Sequence, residues 1–308
     1  MTRYAYLGPE GTFTQMALHA WRPAQGQEQT PFGSVDGALA ALRERQIDAA
    51  VVPIENSVEG GVSATLDALA SGDPLIVTGE VLVPITFVLA ARAGTTLADI
   101  RAVGTHSHAW AQVRGWAQQH LPDAGYVPAL STAAAAADVA AGSGGYEAAV
   151  CAPVAAQNHG LSVLAEDIGD MAQAVTRFVV VSRPEWLPRP TGRDKTTVVL
   201  FQRSDRAGGL VELLEQLSTR GINMTRLDSR PTRESMGSYC FSIDLEGHVA
   251  DERVGEALMG LRRVCAEVRF VGSYPAANGR EVSIDPLTSD DAFAEARDWL
   301  DRLRVTGG

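Results

Sequence analysis

The stretch Ala174-Val175-Thr176-Arg177-Phe178-Val179-Val180-Val181 leads from polar and aromatic residues into a β-branched apolar run that ends at Ser182, ahead of a proline-rich segment. A short continuous apolar run with such bounds reads as a strand buried on both faces, the last of a large domain. Thr176 and Arg177 at its mouth are poor core material and suit the presentation of a hydroxyl and a cation to a ligand in a cleft. Read alone, the stretch is better explained as a strand end whose arginine reaches solvent. Strict alternation puts Thr176 and Phe178 on one face and Arg177 on the other. Either the regular strand begins after Thr176, or Arg177 serves a neighbouring wall.

Upstream, apolar runs alternate with helical periods. Residues 4–7 read as a strand. Gly8-Pro9-Glu10-Gly11 follows, then Thr12-Phe13-Thr14-Gln15 opens a helix with Thr12 and Gln15 at capping-box spacing. A strand, a glycine turn and a capped helix make an anion cradle of backbone N–H groups, or simply a tight β–α turn. The pattern matches neither the dinucleotide fingerprint nor the P-loop, so alone it favours the turn. Residues 49–52 form another buried strand, which ends in Pro53-Ile54-Glu55-Asn56-Ser57-Val58-Glu59-Gly60-Gly61. Short directional polar groups with two glycines at the carboxyl end of a strand stand where α/β sheets hold ligands, and this loop leans towards function.

Apolar strands at 75–83 and 86–91 carry the chain into a second lobe. Thr105-His106-Ser107-His108 starts a helix that runs to about 121. Histidines at i and i+2 do not share a helical face, so no metal site is expected; either one caps the helix or touches a ligand. Ser131 and Thr132 cap an alanine-rich helix, and further strands are expected at 126–130, 148–151 and 161–165. The alternation over residues 1–182 implies an α/β domain of parallel sheets covered by helices. It has two lobes with a cleft between them, the second spanning about 84–160.

Residues 183–193, RPEWLPRPTGR, hold three prolines and a glycine and read as a linker. Beyond it, residues 194–276 read in the order βαββαβ, a ferredoxin-like sandwich. So small a domain leaves a sheet edge or face open, and pairing between copies is expected through it. Residues 277–308 form a tail with an amphipathic acidic helix from Asp290, carrying Phe293, Trp299, Leu300 and Leu303. Docking on its own chain and a loosely held tail stand about equal.

Composition bounds the function. The 308 residues are 45% hydrophobic and 20% charged, enough for two domains with their own cores. A net charge of −11 argues against a surface that tracks nucleic-acid phosphates. It leaves room for small anions, which helix N-termini and a few arginines can hold. Cys151, Cys240 and Cys265 are widely spaced without a Cys-x-x-Cys pair, which reads as buried thiols in a reducing compartment. The opening MTRYAYLG lacks the apolar centre of a signal peptide, and no apolar run is long enough to span a bilayer. A cytoplasmic location without a membrane partner is expected.

Gly8-Pro9-Glu10-Gly11-Thr12-Phe13, Ile54-Glu55-Asn56-Ser57 and Thr176-Arg177-Phe178 occur in this order ahead of the terminal βαββαβ domain. Together they make the chain resemble the monofunctional bacterial prephenate dehydratases over roughly residues 3–275. The C-terminal domain is similar to ACT regulatory domains. Two of the family's phenylalanine-binding motifs correspond to Gly208-Gly209-Leu210-Val211 and Asp228-Ser229-Arg230-Pro231. There are departures. Ala174 stands where the family has Asn, Gly209 where it has Ala, Asp228 where it has Glu, and Thr105-His106-Ser107 replaces Ser-His-Pro.

The resemblance implies a two-lobed, periplasmic-binding-protein-like catalytic domain followed by the ACT domain. It also implies decarboxylating dehydration of prephenate to phenylpyruvate, with no cofactor and no metal. Thr176, Arg177, Ser57, Asn56 and Glu55 become the catalytic candidates, Thr176 as an oriented donor to the leaving oxygen and Arg177 as a carboxylate clamp. Gly11, Thr12, Phe13, His106 and Phe178 become substrate contacts. Gly208, Gly209, Leu210, Val211, Asn223, Asp228, Ser229, Arg230 and Pro231 are expected to hold regulatory L-phenylalanine between two ACT domains of a homodimer or homotetramer. No chorismate mutase module is expected, since the first strand begins at once. Two alternatives stay open: an arogenate dehydratase, and a non-catalytic amino-acid sensor, which would have no need to combine Thr176-Arg177-Phe178 with Ile54-Glu55-Asn56-Ser57.

Overall fold

The computed structural model describes residues 1–58, 60–171, 173–231 and 239–305; Glu59, part of the 53–61 loop reading, lies outside them. The chain opens with β1 (Arg3–Leu7), α1 (Phe13–Ala20), β2 (Glu28–Phe32), α2 (Val35–Arg43), β3 (Ala49–Asn56), β4 (Gly60–Gly61), α3 (Ser63–Ala70) and β5 (Ile76–Pro84). It continues through β6 (Val88–Ala91), β7 (Ala102–Thr105), α4 (Ser107–His120), β8 (Gly125–Pro128), α5 (Thr132–Ala141), β9 (Ala148–Cys151), α6 (Pro153–Asn158) and β10 (Ser162–Ala165), and returns in β11 (Val175–Ser182). The first sheet runs β2-β1-β3-β11-β5 with β4 beside β3; the second runs β10-β6-β9-β7-β8.

Burial follows the sequence pattern. In β11 every residue from Thr176 to Ser182 is buried, as a central strand requires. Helix α2 is capped by Ser34 Oγ on Gly37 N–H and turns Val35, Ala38, Leu39 and Leu42 inward at helical spacing. The small side chains of α5 let Ala133, Ala135, Ala136 and Val139 pack against β9 in a core with Val88, Ala149 and Cys151.

Two features differ from the sequence reading. Strand β2 was not foreseen: EQTPF is polar, mostly exposed and holds a proline, a composition that fits only an edge. The second sheet is mixed rather than parallel. β7 runs parallel to β8 and β9, while β6 runs antiparallel to both β9 and β10. Strand β6 arrives straight from β5 with no crossover helix, so nothing imposes the parallel sense on it.

The described residues group into two compact units, residues 1–65 with 81–178 and residues 66–80 with 179–308. The second unit holds β12 (Asp194–Phe201), α7 (Gly209–Ser218), β13 (Met224–Pro231), β14 (Tyr239–Glu246), α8 (Glu252–Val264), β15 (Glu267–Pro275) and α9 (Asp290–Val305). Its sheet order β13-β14-β12-β15, antiparallel throughout, is the ferredoxin-like arrangement expected from βαββαβ. Leu213 and Leu217 of α7 and Val254, Ala257 and Leu261 of α8 close its core over Val198, Leu200, Ile243 and Leu245. Arg226 of β13 is buried and paired to Asp244 through Nε (3.0 Å) and Nη2 (2.9 Å). Among the described residues no helix is long and apolar enough to cross a membrane.

Candidate active site

A cavity of about 360 Å³ opens in the first unit, within the range of small-ligand sites. One wall comes from the first sheet and its loops, with Thr12, Phe13, Asn56, Thr176 and Phe178. The facing wall comes from the second sheet's helices and strands, with Phe87, His106, Gln112, Ser131 and Thr132.

At its floor stands Thr176, largely buried in the regular part of β11. Asn56 Nδ2 donates to Thr176 Oγ1 at 2.8 Å. The same amide's Oδ1 accepts from Val58 N–H at 2.8 Å, which fixes which end of the amide faces the threonine. Thr176 Oγ1 is therefore an acceptor on the Asn56 side, and its own O–H proton is left to donate elsewhere. Ser57 clasps the two strand ends: its N–H donates to Val175 O and its Oγ accepts from Val175 N–H, both at 2.9 Å. Ala174, where the family has Asn, is buried and its carbonyl accepts from Ile85 N–H at 2.8 Å. The amide that reaches Thr176 comes from Asn56 instead.

Three helices begin at the cavity. Thr12 caps α1, accepting from Gln15 N–H; His106 caps α4, its Nδ1 accepting from His108 N–H; Ser131 caps α5, accepting from Ala134 N–H. Each cap satisfies one donor, and the remaining first-turn N–H groups have no partner within their own helix. Three positive helix ends thus converge on one cavity whose described lining includes no Asp, Glu, Lys or Arg. Phe13 and Phe87 meet edge to face, with ring centroids 5.6 Å apart, and with Phe178 they supply an aromatic wall.

Several sequence expectations change here. Because Thr176 lies inside the regular strand, alternation carries Arg177 away from the cavity; its buried guanidinium pairs with Glu55, Nε to Oε2 at 3.6 Å. Neither Arg177 nor Glu55 lines the cavity, and the clamp expected of Arg177 has no geometric support. Ser57 likewise holds backbone rather than facing the cavity. Gly11 is not an open donor: its N–H is taken by Gln15 Oε1 at 2.7 Å, the return arm of the cap falling one residue before Thr12. Its φ is +84°, and a Cβ there would stand 3.0 Å from Ala155 Cβ, so the position needs glycine.

Thr12, Phe13, His106, Asn56, Thr176 and Phe178 do come together as expected. Gln112 was missed. It is 8% exposed, lines the cavity, and its Oε1 is buried without a hydrogen-bond partner. One glutamine in an amphipathic helix carries no signal of its own. Phe87 was missed because it sits within an apolar run.

In the second unit, Gly209 and Leu213 line a separate cavity of about 300 Å³ with Gln202, Arg203, Arg206 and Arg263. Gly208 precedes α7 with φ +78°, a conformation suited to glycine. A methyl at Gly209, the family's alanine, would stand 2.6 Å from Gln202 Nε2 and displace that side chain. Asn223 and Asp228 to Pro231 do not line this cavity. Asp228 is paired with Arg226, and Arg230 is held bidentate by Asp67 at 3.0 and 3.2 Å.

A family model described as prephenate dehydratase matches residues 4–185. The chain belongs to the prephenate dehydratase family. It is 48% identical to a prephenate dehydratase of Amycolatopsis methanolica over 301 residues, 97% of each chain. The crystal structure of prephenate dehydratase from Arthrobacter aurescens, in complex with L-Phe, is 52% identical and superposes with a TM-score of 0.94 over 98% of this chain and 99% of that one. A solved protein described as a novel type of quorum-quenching acylase, GqqA, is 31% identical with a TM-score of 0.78, over 89% of this chain and 97% of that one. The expectation of an enzyme of the prephenate dehydratase type, a carbon–oxygen lyase of aromatic amino acid biosynthesis, is borne out.

Proposed function

We propose that the Thr176 hydroxyl assists the departing ring oxygen of prephenate as its carboxylate leaves as carbon dioxide. The observation that carries this reading is the fixed Asn56 amide, which makes Thr176 Oγ1 an acceptor on one side and frees its proton for a ligand on the other. In the reaction the bond from ring carbon to carboxylate breaks and its electron pair enters the ring. The bond to the hydroxyl oxygen breaks, and that oxygen departs as hydroxide stabilised by the threonine donor. Aromatisation supplies the driving force, so the protein must bind, orient and solvate the leaving oxygen.

The two substrate carboxylates are held by the N-termini of α1, α4 and α5, with His106 beside them, rather than by an arginine fork. Phe13, Phe87 and Phe178 cover the ring, and Gln112 Oε1 is suited to accept from a ligand hydroxyl. The described lining holds no carboxylate to receive the ammonium of arogenate, which supports the keto acid as substrate. The ferredoxin-like unit acts as an ACT domain, and L-phenylalanine binds between two of them, each copy contributing one motif. Within one chain Asp228 to Pro231 do not line the cavity that Gly209 borders, which supports that arrangement.

The decisive assay follows phenylpyruvate formed from prephenate, with and without phenylalanine. Thr176→Ala should lower kcat by about 10²–10⁴ with little change in KM. Asn56→Asp should lower it comparably, because a carboxylate turns the threonine proton towards itself. An Asn56→Asp enzyme with near-native kcat would sink the oriented-donor reading.

A further inference from the structure

Between β10 and β11 the chain crosses from the second sheet back to the first, and it is tied down on the way. Ile168 is fully buried, and its N–H donates to Phe87 O at 3.1 Å. Asp170 then grips one stretch of α4 from both its side chain and its backbone. Its Oδ2 accepts from Gly115 N–H at 2.8 Å and its Oδ1 from Trp116 N–H at 2.9 Å, while its own N–H donates to Gln112 O at 2.6 Å. Gly115 and Trp116 lie well inside α4, where N–H groups ordinarily serve carbonyls four residues back. Four residues before Trp116 stands Gln112, so the carbonyl that the helix uses at this level is the one that Asp170 engages. The fit is close: a Cβ at Gly115 would stand 2.8 Å from Asp170 Oδ1.

We infer that Asp170 is a positioning residue that acts through Gln112. The inference rests on the proposed acceptance of a ligand hydroxyl by Gln112 Oε1, which is buried without a hydrogen-bond partner. The ring of prephenate carries a single hydroxyl. Gln112 accepts its proton in a hydrogen bond while Thr176 donates to its oxygen, so both residues hold one group. They reach it from facing walls, Gln112 from α4 and Thr176 from β11. Hydrogen bonds weaken within a few tenths of an ångström of stretch, so the two walls must keep their spacing for both contacts to form. Asp170 links them. It lies six residues before Thr176 along the chain, and it fastens the turn of α4 that bears Gln112. Asp170 itself is not part of the cavity's described lining, so it touches the substrate only by way of Gln112.

A double-mutant cycle on the full-length protein tests this, with phenylpyruvate formation from prephenate as the readout. Asp170→Asn keeps the size of the side chain and loses one acceptor oxygen. Asp170→Asn and Gln112→Ala should each lower kcat by about tenfold, with KM within about threefold. The pair should be no slower than Gln112→Ala alone, because the second change removes what the first misplaces. Gly115→Ala, which leaves the carboxylate in the chain and pushes it off the helix, should reproduce Asp170→Asn. Losses that multiply in the pair would overturn the inference, since Asp170 would then act on the fold and not through Gln112. Near-native kcat in both Asp170→Asn and Gly115→Ala, beside an impaired Gln112→Ala, would overturn it and leave the role of Gln112 standing. A near-native Gln112→Ala enzyme would remove that role and this inference together, while the Thr176 reading keeps its own test in Asn56→Asp.

Discussion

Arg177 shows how alternation decides what a side chain can reach. Thr176 and Phe178 face the cavity because β11 is regular from Val175, and the residue between them must then face the other way. Its guanidinium is buried against Glu55, so its contribution belongs to stability. Arg177→Lys shortens the reach and loses the fork geometry, and should destabilise the fold by about 1–3 kcal/mol. KM for prephenate should stay within about threefold. Denaturant unfolding beside a substrate titration checks this; a large rise in KM with unchanged stability would return Arg177 to the substrate. The sequence offered this as one of two alternatives, and the regular strand beginning at Val175 decides between them. What it could not show was the end-on amide of Asn56, because 120 residues separate it from Thr176. Nor could it show that Gly11 gives its N–H to Gln15, which depends on a side-chain rotamer rather than on spacing.

Helices and strands here are held at their ends as much as along their faces. Glu147 illustrates this at the start of β7, where its Oε2 accepts the N–H groups of Arg101 and Ala102, both at 2.9 Å. The backbone donation from Arg101, then that from Ala102, hold its carboxyl below the usual glutamate range. A group whose pKa is depressed on folding contributes stability above its unfolded pKa, and that stability is lost as pH falls through the folded value. The Tm advantage of the native chain over Glu147→Gln should therefore be widest near neutrality and shrink as pH drops through the acid range. A gap constant with pH would show that the carboxylate charge contributes nothing. Elements with apolar periods, such as β11 and the two helices of the βαββαβ unit, were legible from the sequence because burial dictates their composition. Strand β2 was not, because an edge strand must be polar and broken to avoid pairing further, which also makes it resemble a loop.

At the scale of the whole molecule, a chain of net charge −11 must attract a substrate with two carboxylates. The sequence offered helix N-termini and a few arginines together as the remedy, with Arg177 as the clamp. In the proposed reading the cavity relies on three helix N-termini, whose partial charges act at short range and are sheltered from salt by the surrounding protein. The acidic surface acts over the Debye length, about 30 Å at 0.01 M salt and about 8 Å at 0.15 M. Salt should therefore screen the long-range repulsion more than the local attraction. Between those two concentrations kcat/KM for prephenate should rise, by about two- to threefold. A steering cluster of arginines would give the opposite slope, because salt would then weaken the field that gathers substrate. Initial rates at subsaturating prephenate, across an ionic-strength series of a non-binding salt, separate the two. A steady fall in kcat/KM with salt would mean that cationic side chains, not helix ends, dominate the field at the cavity mouth.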